Sequence, residues 1–531
     1  MSAFLKRGFT WGGLDGWALT TRAAILLPLL PLIALAWLAV LPHAPVWGHL
    51  WRSVLPGQIV TTLGLMVGVG LFTGLIGTLS AWAVTFYRFP LRRFLSWALL
   101  LPLAVPTYLM AYAYGDVLDQ AGPLYRLWQS VMPMADYPEF RSLPGAVILL
   151  SLVLYPYVYL SARAAFVQQS ALLIEAGRSL GMTPLACLWR IGLPMARPAI
   201  IIGIALTLME CLNDIGAVEF LGVQTLTIGV YDTWLVRGNL GGAAQLALTL
   251  LAFMALLMAL ERSQRGQAAH YPRQNRRRSL PRFEVGRRTA YALSLAATLP
   301  VLLGFVVPTG LLLSQATIER TDTLWRAAGH SLGLALVAAT ACVGFGLILA
   351  YGTRLGKKRD AQAARFAALG YALPGTVLAI GVMIVLGWLA DVTAGWVLLG
   401  GSAGALVLAY IIRFLSLSFG TLEAGLGRIS PHIDMAARGL GAGRNMTLLR
   451  VLLPLLRAPM VTAFILVFVD VMKELPATLI LRPFDFETLA TTVYTYASVG
   501  QLEDAALPAL TIIAVGLIPV VISLRLIEQS R

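Results

Sequence analysis

Residues 175–181 read Glu175-Ala176-Gly177-Arg178-Ser179-Leu180-Gly181, and 260 positions later (435 − 175) the chain reads Met435-Ala436-Ala437-Arg438-Gly439-Leu440-Gly441. The first stretch runs on to Leu193-Pro194 and the second to Leu453-Pro454. At that single offset Ala176, Arg178, Leu180, Gly181, Leu188, Arg190, Leu193, Pro194 and Arg197 each meet an identical residue. Both stretches lie between long apolar runs. The pattern is that of one polar element handed twice to the same side of a membrane, which suits a two-fold partner.

The composition requires a membrane. Apolar residues make up 58% of the 531 residues and charged residues 12%, and the mean hydropathy is +0.78. A soluble chain of this length could not bury so much apolar side chain. A spanning helix needs about 20 mostly apolar residues. Twelve stretches qualify, near 23–42, 58–87, 94–114, 144–163, 198–220, 243–261, 290–314, 329–353, 364–390, 394–419, 459–481 and 505–527. The expected fold class is therefore all-α: a polytopic membrane protein with about twelve transmembrane helices.

The net charge of +15 reports topology, not nucleic-acid binding, because cytoplasmic loops collect Lys and Arg. Lys6, Arg7 and Arg22 precede the first span, and Arg88, Arg92 and Arg93 follow the second. Arg178, Arg190 and Arg197 surround the first repeated element. Nine arginines fall within 262–288, and Arg354, Lys357, Lys358, Arg359 and Arg365 follow the eighth span. The intervening loops carry Asp116, Asp119, Asp136 and Glu139, or Asp485, Glu487, Glu503 and Asp504. This alternation places both termini in the cytoplasm. The basic N-terminus ahead of an apolar run imitates a secretory signal, but the run is long and no small-residue cleavage site follows, so an uncleaved first span is expected. Cys187, Cys211 and Cys342 have no metal-ligand or disulfide spacing. His43, His49, His270, His330 and His432 are dispersed, so no metal site is assigned.

The repetition extends beyond the polar element. Thr62-Leu63-Gly64-Leu65 resembles Ser331-Leu332-Gly333-Leu334, Leu101-Pro102 resembles Leu373-Pro374, and Leu226 and Tyr231 resemble Leu489 and Tyr494. Two halves follow: 1–261, with its polar loop at about 170–196, and 289–531, with its loop at about 430–456. The basic stretch 262–288 links them. Six spans per half make the repeats parallel, related by an axis along the membrane normal. Gly64, Gly68, Gly70, Gly74 and Gly77 are expected to serve close helix packing, and so are Gly344 and Gly346.

The repeated pattern, acidic-Ala-Ala/Gly, then Gly, then Leu-Pro, resembles the cytoplasmic loop of binding-protein-dependent ABC importer permeases of the type I fold. In that family the loop forms a short helix that seats in a groove of an ATPase subunit. The resemblance implies docking roles for Glu175, Ala176, Gly177, Arg178 and Gly181, and for Met435, Ala436, Ala437, Arg438 and Gly441. Small residues let such a helix sink into a groove. Gly181 and Gly441 can end it, and the Leu-Pro pairs can open the next span. Met435 departs from the pattern where Glu175 is acidic, and Asp434 stands one position earlier. No G-x-x-x-x-G-K-[ST] phosphate cradle occurs; Gly439-Leu440-Gly441-Ala442-Gly443 lacks its lysine and preceding strand. The chain is thus expected to be a transport subunit with no enzyme activity and no cofactor of its own. The resemblance implies ATP and Mg at a cytoplasmic ABC ATPase dimer, a periplasmic substrate-binding protein as second partner, and a bacterial inner-membrane location.

Acids are rare inside spans, where each costs about 2.5–3.5 kcal/mol on insertion scales. Glu210 and Asp214 are four apart on one helical face, and Asp470 and Glu474 repeat them at the same offset (470 − 210). Counted from Arg197, Glu210 stands about 20 Å up the helix and Asp214 about 26 Å, near the outer boundary. These four acids either line a route for cationic cargo or are structural, neutralised by Lys473 or capping a helix break. Gly216 and Pro476 make a break plausible. Arg413 is expected to snorkel to the cytoplasmic boundary, and Tyr155, Tyr157 and Tyr159 to anchor at the interface.

The stretch Leu208-Met209-Glu210-Cys211-Leu212-Asn213-Asp214-Ile215-Gly216, continued by Phe220-Leu221-Gly222-Val223-Gln224-Thr225, looks like the ferric-iron branch of these permeases. Asp470-Val471-Met472-Lys473-Glu474-Leu475-Pro476, running to Arg482-Pro483, looks like the same branch. That resemblance implies inward transport of ferric iron by alternating access. Thiamine and phosphonate permeases of similar build are the alternative. A proton-coupled secondary transporter would leave the duplicated loops unexplained.

Overall fold

The computed structural model describes residues 16–41, 46–120, 122–132, 136–168, 171–268, 282–316, 321–356, 364, 370, 373–393 and 401–529. Much of the basic link, and Lys6, Arg7, His43, His270, Lys357, Lys358, Arg359 and Arg365, lie outside them. The described residues are helical throughout, with one isolated bridge between Tyr87 and Phe283. Among the described residues ten helices are long and apolar enough to cross a membrane, or twelve if each of two bent pairs counts as one span. The all-α polytopic expectation holds.

Three expected spans are broken, each for a local reason. In 94–114 the chain leaves the helix at Val105, which is extended ahead of Pro106, because proline disfavours the helical conformation in the residue before it. In 198–220 the helix Leu193–Asn213 ends, Asp214 is extended, and a short helix Gly216–Phe220 begins. In 459–481 the helix Arg457–Met472 ends ahead of Pro476, which opens Pro476–Leu481. Asp214 therefore does not ride a continuous helix to an outer boundary; it occupies a break.

Packing divides the chain into two compact units. One comprises Met1–Ala34, Gly333–Tyr371 and Gly381–Val471; the other comprises Leu35–Leu332, Ala372–Ile380 and Met472–Arg531. The larger unit has a core of Trp82, Phe86, Leu95, Tyr155, Tyr159 and Phe166 with Ile174, Cys187, Leu188 and Phe283. The smaller has Ala24, Ile25, Leu349, Tyr351, Leu415, Phe419, Leu422 and Leu426 with Leu448, Leu452 and Leu456. Each core reaches directly beneath one copy of the repeated element.

The glycine stripe packs as expected in the larger unit. A Cβ at Gly68 would meet Val147 at 2.6 Å, and one at Gly77 would meet Val158 at 2.7 Å and the Tyr159 nitrogen at 2.8 Å. Gly346 is similarly tight against Ser418, whereas Gly344 faces open space and serves no such contact. Two further expectations are corrected. Tyr155 and Tyr159 are fully buried, and Tyr159 donates to the Ser96 carbonyl at 2.7 Å; their positions inside Leu143–Gln168 face the core, not an interface. Arg413 is buried near the middle of Ala403–Gly427, with its guanidinium 5.5 Å from the Phe414 ring. Its side chain is covered by protein and does not run out along the helix surface as snorkelling requires.

Candidate functional site

The first repeated element forms the helix Ala171–Ser179. It ends in a left-handed Gly181 (φ 81°). The Gly181 amide donates to the Arg178 carbonyl at 2.9 Å and the Met182 amide to the Gly177 carbonyl at 3.0 Å, the paired bonds of a Schellman turn. A side chain on Gly177 would collide with Ile191 at 2.8 Å, so glycine lets this helix lie close to the next one. Beneath it sits Phe283 from the link, fully buried against Trp82, Phe86 and Tyr87. Backbone bonds hold it there: Phe283 donates to the Phe86 carbonyl at 2.6 Å, and Arg88 donates to the Phe283 carbonyl at 3.0 Å. The Arg178 guanidinium lies 5.0 Å from the Phe283 ring, within cation–π range.

The second element forms Pro431–Gly439, opened by Ser430 as N-cap. It ends in the same way: Gly441 has φ 87°, Gly441 donates to Arg438 and Ala442 to Ala437, both at 3.0 Å. Its support is polar. Asp434 is buried and accepts from Arg354 Nε at 2.7 Å. The same guanidinium donates to the Leu426 carbonyl at 2.7 Å and the Ile429 carbonyl at 3.2 Å. Trp17 Nε1 donates to Asn445 at 2.7 Å, and the Tyr351 hydroxyl donates to the Arg444 carbonyl at 2.9 Å. Asp434 is thus spent on an internal ion pair and does not replace the missing acid at Met435, which is exposed.

Burial follows the repeat position by position. Ile174 and Gly177 are buried in one copy, Asp434 and Ala437 in the other. Ala176, Arg178, Ser179 and Leu180 are exposed, and so are Ala436, Arg438, Gly439 and Leu440. Leu180 and Leu440 are 80% and 90% exposed, with Trp189 and Leu449 also outward at the shared offset (449 − 189). Each copy therefore presents a small-residue helix rimmed by uncovered large apolar side chains, as a surface awaiting a groove would.

The span after each element ends in a second matched device. Asp214 accepts from the Ala217 and Val218 amides at 2.9 and 3.3 Å, and its other oxygen accepts from Thr107. Glu474 accepts from the Ala477 and Thr478 amides at 2.9 and 3.0 Å, and from the Thr478 hydroxyl at 2.5 Å. Both carboxylates cap the helix beyond the break, satisfying amides that have no partner within their own helix. Tyr108, itself buried, is an electrostatic neighbour of both. Glu210 and Asp470 are half-buried on the helices Leu193–Asn213 and Arg457–Met472 and make no such cap. Asn213 accepts from the Gly375 amide at 2.8 Å.

A third pair completes the symmetry. The Leu226 amide donates to Thr62 at 3.0 Å, and the Leu489 amide donates to Ser331 at 2.8 Å. The short helices Leu226–Tyr231 and Leu489–Ser498 are N-capped by Thr225 and Thr488. All four hydroxyl residues stand at repeat positions. Sequence reasoning missed Phe283 and the Arg354–Asp434 pair as supports. The second had a signal: at the offset of Thr62 and Ser331 (331 − 62) Arg354 aligns with Thr85, and at the other offset Asp434 aligns with Ile174. The aligned positions are neutral in one half and oppositely charged in the other. Glu219, which accepts from the Tyr494 hydroxyl at 2.9 Å with both oxygens, was also missed; it lies outside the expected acidic register.

Twin surface helices on a duplicated bundle of broken and continuous spans define a permease built as two fused halves. The chain belongs to the family described as binding-protein-dependent transport system inner membrane component, which it matches twice, over residues 70–264 and 342–530. It is a multi-pass permease subunit of an ABC importer, a class that is not itself enzymatic. Over 483 residues it is 24% identical to the Fe(3+)-transport system permease protein FbpB 2 of Haemophilus influenzae, covering 89% of this chain and 90% of that protein. It is 30% identical over 193 residues to the ferric transport system permease protein FbpB of Actinobacillus pleuropneumoniae, covering 34% of this chain and 28% of that one. It is 27% identical over 180 residues to the sulfate transport system permease protein CysT of Escherichia coli, covering 33% and 63% respectively.

Proposed function

We propose that this permease imports ferric iron handed over by a periplasmic binding protein, driven by a separate cytoplasmic ATPase dimer that hydrolyses Mg-ATP. The carrying observation is the matched pair of surface helices, with the same turn and the same outward face. Glu175, Ala176, Gly177, Arg178 and Gly181 form one docking site; Met435, Ala436, Ala437, Arg438 and Gly441 form the other. Both termini lie in the cytoplasm. The halves 1–261 and 289–531, joined by 262–288, rock as the ATPase closes and reopens, so the route faces outward and then inward. The iron assignment is supported by near full-length similarity to a ferric permease. Glu210 and Asp470 line the route, while Asp214 and Glu474 hold the breaks that shape it.

Reconstitution with the candidate ATPase and binding protein tests this reading. Ferric-loaded binding protein should stimulate ATP hydrolysis and iron accumulation, and both should vanish without the ATPase. Stimulation by sulfate or a phosphonate in place of iron would replace the cargo. Uptake that survives ATP depletion and collapses with an uncoupler would replace the mechanism. Neutralising Glu210 and Asp470 together should cut uptake with assembly intact.

A further inference from the structure

The larger unit contains a half-open cavity of about 420 Å³ whose wall includes Tyr112, Asp116, Asp119, Arg141, Glu219 and Tyr494. It lies at the far end of the unit from the first docking helix. Arg141 precedes the 26-residue helix Leu143–Gln168, and Ala171–Ser179 follows it; that helix alone is about 39 Å long. In the proposed orientation the cavity opens outward.

Its charges are not equally committed. Asp119 pairs with Arg141 at 2.7 Å, and that guanidinium stacks 4.5 Å over Phe220. Asp116 accepts from Gln315 at 2.5 Å. Glu219 accepts from the Tyr494 hydroxyl, which also hydrogen-bonds to Tyr231, and each of its carboxylate oxygens keeps further acceptor capacity. Gly115 is what lets the cavity wall close, since a Cβ there would meet the Phe220 ring at 2.5 Å. From this cavity a phenol line runs inward. Tyr112 packs edge-on to Phe220, and Tyr108, one turn along the same helix, lies 6.1 Å from Tyr112 between ring centroids. Tyr108 is 4% exposed, its hydroxyl has no hydrogen-bond partner among the described residues, and it neighbours Asp214 and Glu474.

We infer that this cavity is the entry site for a hard, highly charged cation, with the Glu219 carboxylate and the Tyr494 phenol as its first protein ligands. Carboxylate and phenol oxygens match the preference of hard cations for oxygen donors. No group of three His, Cys, Asp or Glu side chains forms a metal cage among the described residues. The site is therefore a two-donor station, and its volume leaves room for the water or chelator oxygens that complete the shell. A station so built can accept cargo and release it. The orphan Tyr108 hydroxyl marks where the line continues toward the broken helices. This inference rests on the ferric reading and assigns that cargo its first residues.

The test uses the purified full-length chain in lipid nanodiscs. Terbium(III), a redox-inert hard cation, should give saturable luminescence sensitised by tyrosine and competed by ferric nitrilotriacetate. Glu219→Gln keeps an acceptor for Tyr494 and should weaken terbium binding by about tenfold or more. Tyr494→Phe should abolish the visible phenolate-to-iron absorption seen when ferric nitrilotriacetate is added. Glu487→Gln, outside the cavity, should change neither. Equal affinity and an equal absorption band in wild type and both cavity variants would overturn the site. Radio-iron uptake separates the two proposals: wild type and variants importing iron alike removes only the entry site, whereas a wild type that imports another solute and no iron removes the ferric reading as well.

Discussion

The two surface helices share a face and differ in their foundations. Both end in the same left-handed glycine turn, and from position 174 onward they bury and expose matching positions except that Glu175 is half-buried where Met435 is exposed. Below the first lies an aromatic ring, Phe283, delivered by the chain that links the halves. Below the second lies an ion pair, Arg354–Asp434, with the N-terminal Trp17 at its flank. The difference teaches what duplication leaves free. The repeated turn keeps Ala, Arg, Leu and Gly at matching positions in both copies. The support needs only to be self-consistent: neutral Ile174 and Thr85 stand where the other half has Asp434 and Arg354.

The comparison breaks most visibly at that pair. Asp434→Ala should destabilise the smaller unit by about 1–3 kcal/mol, because it leaves a half-buried guanidinium without its counter-charge. Adding Arg354→Thr and making the first change Asp434→Ile, the residues of the other half, should recover most of the loss. Thermal unfolding and hydrogen exchange over 431–439 read both results. A single variant as stable as wild type would mean that the pair is not the foundation.

Smaller effects sharpen the likeness. Gly181→Ala and Gly441→Ala should each cost about 1–2 kcal/mol, since a Cβ is strained in the left-handed region. The two costs should agree; a clear inequality would mean that the turns are not equivalent under load. Phe283→Leu keeps most of the volume but removes the ring beneath Arg178, worth about 0.5–1 kcal/mol. Exchange should quicken over 171–179 and stay unchanged over 431–439. Met435→Glu restores the acid that the first copy has, and should move stability by less than about 0.5 kcal/mol. Its readout is ATPase affinity, which should rise if an acid at this position contacts the motor.

Much of this was legible in the residues. The apolar runs gave the spans because a membrane accepts little else, and the recurrence at one offset gave the twin elements and their terminating glycines. Gly216 and Pro476 pointed to breaks as one of two readings of the acids, and the fold shows that Asp214 and Glu474 stand where amides need caps. What was not legible was which role each acid takes: four in register looked alike, and only the fold turned two of them onto helix N-termini. The buried positions of Tyr155, Tyr159 and Arg413 escaped for a related reason. Composition places a side chain on a helix, but not the neighbours that cover it.

The sequence by itself determined the membrane class and the doubling, because these follow from local composition and from the recurrence of short patterns. Only the tertiary structure decided what stands under each face and which carboxylates cap the helix breaks. Those depend on residues far apart in the chain, Arg178 with Phe283, Arg354 with Asp434 and Glu219 with Tyr494, and folding alone brings such groups within a few ångströms.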